Sequence, residues 1–377
     1  MKVVLLGAGF SRAISPEMPL MKQLGPLVLE RLHLPADTLS PFGGDVEAWL
    51  GHLGSDEPWL EDSDNLRSRA RFVDGVQAIH DIIVEAQSRT EEEPPPWLHR
   101  LVAQWSHEQA TILTFNYDTL LERALAEVVG ARGFGDLYQI ALEQRQPVDA
   151  ALYPSGGSSL RESPTFYKLH GSVNWLHGGE RAPATERFVL REDHIPPYLY
   201  EDLAPFVVPP ASSKSHYYDR APLRVQWKRA AAALREATAL DVIGYSFPPS
   251  DSGTRTFLGT NTGDSVPVTL VDPSPAAHSR FNNMFPNRGE ASWFGSVEDF
   301  VEATCGDLVI AWRENLGEHP GLHMEVNGIR SVEPGHGDSN CSVRDRLRED
   351  YPGAGDPIEV NLPNGTQAWR LLRPGKS

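Results

Sequence analysis

Cysteine is nearly absent from this chain. Among its 377 residues only two are cysteines, Cys305 and Cys341. A four-cysteine zinc site and a framework of disulfides each need more thiols than this. Both are therefore excluded within a single chain.

Basic clusters and long apolar runs are missing as well. Lysine and arginine number 34 against 51 acidic residues, which gives a formal net charge of −17. Direct binding to duplex DNA is not expected, because it relies on clustered positive charge. The amino terminus has one lysine before a short apolar run, which is too little for a signal peptide or a membrane span. We expect a cytoplasmic protein that contacts neither nucleic acid nor membrane directly.

The amino-terminal glycine motif is an incomplete dinucleotide fingerprint. An apolar run turns on glycine at residues 7–9, where backbone N–H groups can approach a phosphate, and Ser11 can cap the following helix. Arg12 occupies the third glycine position, and no strand ending in an acidic residue follows about twenty residues later, which disfavours a conventional dehydrogenase. A simple tight turn is the alternative, and Arg12 could instead pair with a surface carboxylate. The predicted diphosphate contacts are Gly7, Ala8, Gly9, Phe10, Ser11 and Arg12.

Two further apolar runs each end in polar side chains. Asn116 lies near the end of the run at residues 111–118, and His170 lies near the end of the run at residues 166–172. In an open α/β sheet the carboxyl ends of the strands form the ligand crevice. We therefore predict that Asn116 and His170 share a site, although a lone histidine at a strand end is more often structural.

Strands and helices alternate along the rest of the chain. Residues 18 to about 105 have helical spacing and are interpreted as a helical insertion, whereas residues 223–284 read as two helices and two strands. Such alternation is typical of an α/β fold with a doubly wound, mostly parallel, Rossmann-like sheet. Residues 1–310 are assigned to this domain.

Two regions depart from this pattern. Residues 174–221 are rich in proline, tyrosine and glycine with little periodicity, so we expect a long loop over the crevice, either a lid or a plain surface loop. Residues 316–377 contain two hairpin signals, Asn327-Gly328 and Asn364-Gly365, a half-buried strand at 358–362 and a short helix at 343–348. They predict a small β-rich module, for which assembly is the candidate role.

The strand ends together resemble the sirtuin family over about residues 1–305. The resemblance is carried by Gly-Ala-Gly at 7–9, Thr-Phe-Asn-Tyr-Asp at 114–118, Leu-His-Gly at 169–171 and Gly-Tyr-Ser at 244–246. Asp272 ends a further strand on a carboxylate that could accept hydrogen bonds from ribose hydroxyls. Asp118 could instead cap a helix, and turn or cap roles are the alternatives for Ser246 and Asp272. The resemblance implies that NAD is also contacted by Thr114, Tyr117, Asp118, Gly244, Ser246 and Asp272.

The differences from that family indicate which branch of the sirtuin superfamily this chain resembles. Protein-deacylating sirtuins carry a four-cysteine zinc module between the His and Gly-x-Ser motifs, and residues 171–243 contain no cysteine. The chain resembles instead the zinc-less, sirtuin-like proteins of bacterial antiphage defence. This resemblance implies an effector that cleaves NAD to nicotinamide and ADP-ribose and depletes the infected cell, without a metal. It also implies a homo-oligomer, with a hexameric ATPase or an Argonaute-like protein encoded nearby as the candidate partner, whose identity the sequence leaves open.

The side chains of the proposed pair suit this chemistry. Cleavage of the ribose–nicotinamide bond develops an oxocarbenium-like charge, so a site must fix the sugar, exclude bulk water and direct one nucleophile. Asn116 can hold a ribose hydroxyl or the water without carrying charge, and His170 can accept a proton near neutral pH. A module that senses NAD or ADP-ribose without cleaving it is the alternative. The trigger and the choice between NAD and NADP stay open.

Overall fold

The computed structural model describes residues 1–90, 94–144, 163–178, 187–192, 200–210, 218–248, 251–316, 319–333, 342–354, 356–361 and 366–373. In chain order the strands are β1 (Lys2–Leu6), β2 (Thr111–Thr114), β3 (Glu143–Gln144), β4 (Thr165–Lys168), β5 (Gly171–Gly178), β6 (Arg187–Leu190), β7 (Ala204–Val207), β8 (Ala239–Ile243), β9 (Val268–Val271), β10 (Ser292–Phe294), β11 (Asp307–Leu316), β12 (His319–Val326), β13 (Ile329–Glu333), β14 (Ile358–Asn361) and β15 (Gln367–Arg373).

The helices follow the same order. They are α1 (Ala8–Ile14), α2 (Met21–Arg31), α3 (Val46–Leu53), α4 (Asp62–Ser88), α5 (Pro96–His107), α6 (Leu120–Val129), α7 (Ala221–Arg235), α8 (Ser252–Asn261), α9 (Pro275–Met284), α10 (Val297–Thr304) and α11 (Val343–Asp350), with 3-10 turns at Ala36–Phe42 and Phe134–Asp136. No helix among the described residues is both long enough and apolar enough to cross a membrane.

A six-stranded sheet in the order β10-β9-β8-β1-β2-β4 forms the centre of the molecule. Every neighbouring pair in it is parallel. Residues 3–6 of β1 are fully buried, as expected of a strand that is covered on both faces and therefore apolar throughout. The predicted doubly wound, mostly parallel fold is confirmed. The chain changes direction across the sheet between β1 and β8, which is where such folds place ligands.

The stretch between β1 and β2 is helical, as its spacing predicts. It holds α1 to α5, and the 27-residue helix α4 is the longest of them. The carboxyl-terminal half of α4 enters the main core through Ala78, Ile79, Ile82 and Ile83. This packing secures the helical stretch to the sheet.

The predicted loop at residues 174–221 is wrong in its described part. Strands β5, β6 and β7, with the short β3, form a four-stranded sheet in the order β3-β6-β5-β7. Trp175, Val189 and Leu190 are fully buried in it, and His80 of α4 lies 3.0 Å from the Val173 carbonyl. Residues 171–176 are all buried, so no alternation of polar and apolar residues marks the strand. The remaining parts of the predicted loop, which include its His194 and His216, lie outside the described residues.

A five-stranded antiparallel sheet follows, in the order β13-β12-β11-β15-β14. The predicted turn at Asn327-Gly328 is confirmed, since both residues have positive φ, +51° and +82°, between the paired β12 and β13. Helix α11 packs on this sheet through Val343 and Leu347. The predicted turn at Asn364-Gly365 lies outside the described residues. Because β11 already begins at Asp307, the domain boundary near residue 310 stays a prediction.

Arg100 of α5 binds the chain at the junction between the six-stranded parallel sheet and the five-stranded antiparallel sheet. Its Nε donates to the Gly306 carbonyl at 2.7 Å and its Nη2 to the Cys305 carbonyl at 2.8 Å, while Nη1 lies 2.7 Å from a Glu302 carboxylate oxygen. Arg100 is buried, and these hydrogen bonds fix the backbone at the point where the chain enters β11.

Candidate functional site

The glycine turn after β1 packs against the end of β8. Gly7 N donates to the Ile243 carbonyl at 3.0 Å, and Gly9 N donates to the Gly244 carbonyl at 2.9 Å. A Cβ on Gly7 would lie 2.5 Å from the Gly244 carbonyl oxygen, and one on Gly244, where φ is +65°, would lie 2.1 Å from Phe10 N. The glycines therefore allow two backbones to touch. Their predicted contact with a diphosphate stays a prediction, and the N–H groups of Gly7 and Gly9 already have protein acceptors.

Ser11 does not cap a helix, so that prediction is wrong. It lies inside α1, whose N-cap is Gly7. The buried Ser11 hydroxyl instead donates to Asp118 Oδ2 at 2.6 Å and accepts from Asn116 Nδ2 at 2.9 Å. Ser11 thus connects the amino-terminal turn to the strand end that carries Asn116.

The other residues of the glycine motif point in different directions. Phe10 is 1% exposed, with its ring 5.9 Å from that of Trp97 and 6.0 Å from that of Trp105, so its side chain belongs to the core. Arg12 donates to the carbonyls of Pro16 and Met18. Arg12 therefore holds the loop after α1, and it pairs with no surface carboxylate among the described residues. Ala8 is exposed.

Asn116 is held in one orientation by its amide nitrogen. Nδ2 donates to the Gly7 carbonyl and to Ser11 Oγ, both at 2.9 Å. Rotating the amide would place Oδ1 against the Gly7 carbonyl, an acceptor against an acceptor. Both Nδ2 hydrogens are thus used within the protein, and Oδ1 is the atom with which Asn116 can receive a ligand hydroxyl. Its backbone N donates to Thr114 Oγ1 at 3.1 Å.

Asp118 makes the helix-start contact considered for it, while its contact with NAD stays a prediction. Its Oδ2 accepts from the Ser11 hydroxyl, and its Oδ1 accepts from Leu120 N at 3.1 Å. The second contact satisfies an unpaired N–H in the first turn of α6, which is what an aspartate at a helix start does well. Asp118 is therefore a structural part of the Asn116 network.

His170 lies in an aromatic enclosure directly after β4. Its ring centroid is 4.8 Å from that of Phe115, 6.2 Å from that of Trp227, and 6.4 Å from those of Tyr117 and Tyr218. His170 Nε2 lies 3.3 Å from the Tyr218 hydroxyl. Burial, and then the charge of Asp251, raises the pKa of Tyr218, so the phenol is neutral near pH 7 and can hold the imidazole by a hydrogen bond.

Asn116 and His170 leave neighbouring strand ends. Strands β2 and β4 are paired in parallel, with Thr114 opposite Lys168, and Leu169 N donates to the Thr114 carbonyl at 2.9 Å. Phe115 and Tyr117, which flank Asn116 in the chain, both contact the His170 ring. The structure thus brings the two predicted residues to the same edge of the sheet.

A buried ion pair behind this edge was not predicted from the sequence. Lys168 Nζ lies 2.6 Å from Glu122 Oε1, and both side chains are 1% exposed. Lys168 also donates to the carbonyl of Asp118, and Glu122 accepts from the Tyr138 hydroxyl at 2.9 Å. Burial raises the pKa of Glu122, although the charge of Lys168 opposes the shift. Burial, with Glu122 as the next cause, raises the pKa of Tyr138 well above its usual value.

A small polar cavity lies between the ion pair and Asn116. Its volume is about 10 Å³, roughly the space that one water needs. Its polar lining consists of Ser11, Thr114, Asn116, Asp118, Glu122 and Lys168. A larger cavity of about 320 Å³ lies elsewhere and includes Gln87, Thr119, Asn174 and Arg191 in its wall, but none of the predicted site residues lines it.

The remaining predicted contacts follow β8 and β9. Gly244 belongs to the glycine contact already described, and the exposed Ser246 offers its carbonyl to Arg280 at 2.7 Å. Asp272 Oδ1 accepts from Ser274 N at 2.8 Å just before α9, which is the cap-like alternative considered for it. Burial raises the pKa of Asp272. A nucleotide contact by Ser246 or Asp272 stays a prediction.

Within the described part of the chain, no cluster of three or more histidine, cysteine, aspartate or glutamate side chains could hold a metal ion.

Residues 110–256 match the family model described as the SIR2-like domain. The matched stretch contains Asn116, Asp118, His170, Gly244 and Ser246, and it excludes the amino-terminal glycine turn and Asp272. The match confirms the sirtuin-like resemblance at the level of the superfamily.

Two solved structures illustrate the wider similarity. A structure described as a Sir2 homologue–NAD complex is 15% identical, with 80% of this chain and 86% of that chain covered and a TM-score of 0.41. A structure reported for the mechanism and regulation of Sir2 enzymes is 14% identical, with 80% and 88% covered and a TM-score of 0.39. No curated protein matches the chain.

Proposed function

We propose that this protein is an NAD glycohydrolase, which uses water to cleave NAD into nicotinamide and ADP-ribose. The SIR2-like match supports an NAD-dependent activity in general. The observation that carries the finer proposal is the fixed amide of Asn116, whose Oδ1 is the available acceptor, beside His170 at the neighbouring strand end.

In the proposed reaction water attacks the anomeric carbon of the nicotinamide ribose. The electron pair of the glycosidic bond leaves with the nicotinamide nitrogen and neutralises its positive charge. Asn116 Oδ1 accepts a hydrogen bond from the water or from a ribose hydroxyl, and His170 takes the released proton. The aromatic side chains around His170 restrict bulk water, which favours one directed nucleophile.

The sequence supports hydrolysis over protein deacylation. With two cysteines in all, a single chain cannot build the four-cysteine zinc module of the deacylating sirtuins. We extend the proposal to a role in antiphage defence, in which activation depletes cellular NAD. The C-terminal sheet is then a candidate surface for assembly or for a partner subunit.

Incubation of the purified full-length protein with NAD tests the proposal. Nicotinamide release, followed by chromatography over a range of protein concentrations, should fall at least 100-fold in Asn116→Ala and in His170→Ala. His107→Ala, a change at an exposed residue of α5, is the matched control and should retain activity. If calorimetry shows that NAD binds and no nicotinamide is released, the result contradicts the hydrolase proposal and supports a module that senses NAD. Removal of the acetyl group from an acetylated peptide would support protein deacylation as the activity.

A further inference from the structure

Helix α4 carries an exposed apolar stripe on its amino-terminal half. Leu66 is 61% exposed and Val73 is 64% exposed, and they are separated by two helical turns, which puts them on one face. Ala70 lies between them and is also exposed. Large apolar side chains aligned in this way mark an interaction surface more often than a scattered exposed residue does.

Trp59 is a further large apolar side chain exposed near the amino end of α4. It is 72% exposed and lies in the turn before α4. Hydrogen bonds between Glu57 and Asn65, and the pairing of Asp56 with Arg69 at 2.8 Å, hold this turn against the first turns of the helix. The apolar surface of Leu66, Ala70 and Val73 is here called the α4 stripe.

The carboxyl-terminal half of the same helix is buried. Beyond Gly75, which lies against Leu50, α4 is buried in the core through Ala78 and Ile79. The body of the protein therefore anchors the helix rigidly at one end and presents the stripe at the other.

One flank of the α4 stripe carries two opposite charges, Arg67 and Asp74, whose spacing along the helix equals that of Leu66 and Val73. With about 3.6 residues per turn, Arg67 and Asp74 both project about a quarter turn to the same side of Leu66. Both are exposed, and Arg67 contacts only Asp64, at 2.6 Å, among the ion pairs of the described residues.

We propose that the α4 stripe binds the α4 stripe of a second copy of this chain, antiparallel, about a two-fold axis. Such an axis brings the same flank of both helices together. When Leu66 meets Val73 of the second copy, Arg67 lies beside Asp74 of the second copy, and the symmetry repeats the ion pair. The surface is thus complementary to itself in both apolar contact and charge.

The proposal does not depend on NAD cleavage. A pair of helices with their flanking turns buries less than the roughly 800 Å² per partner of a standard interface. We therefore expect a dimer that dissociates on dilution, and sedimentation velocity of the full chain over a range of concentrations measures it.

Substitutions in the stripe give the first test. Leu66→Glu/Val73→Glu should leave only monomer, because burying these charges opposes association. Val225→Glu, the same kind of change at a residue 39% exposed on α7, should leave the dimer unchanged. A wild-type chain that stays monomeric at every concentration would overturn the proposal, as would a dimer that survives the double substitution.

Charge reversal tests the antiparallel geometry. Arg67→Glu and Asp74→Arg should each weaken the dimer about tenfold, since like charges then face each other across the axis. The double variant Arg67→Glu/Asp74→Arg should return to within about threefold of wild type. A double variant no tighter than either single one would overturn the two-fold pairing.

Discussion

Lys168 Nζ and Glu122 Oε1 lie 2.6 Å apart in an ion pair from which solvent is almost excluded. Removing one partner leaves an uncompensated buried charge. We expect Lys168→Met to reduce the free energy of unfolding by about 3–5 kcal/mol, measured by urea denaturation with circular dichroism.

The double variant Lys168→Met/Glu122→Leu is the control for this pair. Because it removes both charges, it should be more stable than Lys168→Met alone. A single substitution that costs less than about 1 kcal/mol would show that the pair is solvated.

Ser11→Ala should disturb the fixed amide of Asn116. The change removes the donor to Asp118 Oδ2 and the acceptor of Asn116 Nδ2, and unsatisfied buried polar groups cost about 1–3 kcal/mol. With the Asn116 amide held only by the Gly7 carbonyl, we expect nicotinamide release to fall about tenfold or more. Thermal unfolding and NAD turnover measured on the same sample separate the two effects. Ser279→Ala, at an exposed serine of α9, should change neither.

Gly244→Ala should be among the most destabilising single-methyl changes in the chain. A Cβ at this position would lie 2.1 Å from Phe10 N, in a residue whose φ is +65°. Gly130→Ala is the matched control, because φ there is +69° and no atom lies within 4 Å of the added Cβ. The control should cost about 1–2 kcal/mol for the left-handed backbone alone, and Gly244→Ala should cost clearly more in chemical denaturation. Equal costs would contradict the tight contact of the two turns.

Cys305 makes stability depend on pH in alkaline solution. Burial raises the pKa of this thiol to about 11, against about 8.5 for an exposed thiol. The unfolded chain therefore loses its proton first, so the stabilisation is complete below about pH 8.5 and is lost as the pH rises towards 11. Between pH 8 and pH 10.5 the loss should be about 2 kcal/mol in a Cys341→Ser background.

The same measurement in Cys305→Ala/Cys341→Ser gives the pH dependence of stability that comes from all other titrating groups, which can then be subtracted. The difference in unfolding free energy between the two proteins should be nearly constant below about pH 8.5 and should then change by about 2 kcal/mol up to pH 10.5. Iodoacetamide should also label Cys305 at pH 8 only after urea is added, and rapid labelling of the folded protein would contradict its burial.

The central sheet was predictable because its strands are apolar on both faces. Residues 3–6 and 111–115 stand out from their surroundings by composition alone, and the alternation with helices then implies a parallel sheet. Strand β5 could not be found this way. Its residues are buried on both sides by α4 and the neighbouring strands, so they lack the two-residue period, and its sheet depends on pairing with chain segments far away.

Part of the site was predictable for a related reason. Asn116 and His170 interrupt apolar runs, and such interruptions are visible in a sequence. The role of Ser11 was missed because its partners, Asn116 and Asp118, are more than a hundred residues away. Lys168 and Glu122 gave a weaker signal. Glu122 lies on the buried face of α6 with Leu125 and Val129, and Lys168 lies in a strand of buried aromatic residues, but only the fold shows that they meet.

Arg100 restrains the chain at the junction between the parallel sheet and the C-terminal sheet. A single arginine cannot bond the carbonyls of Cys305 and Gly306 while the chain bends freely between α10 and β11. We therefore expect this junction to resist bending, so that the C-terminal sheet and the parallel sheet reorient together. A load applied to the C-terminal sheet would pass through Arg100 into α5, whose Trp97 and Trp105 contact Phe10 in the first helix after the glycine turn.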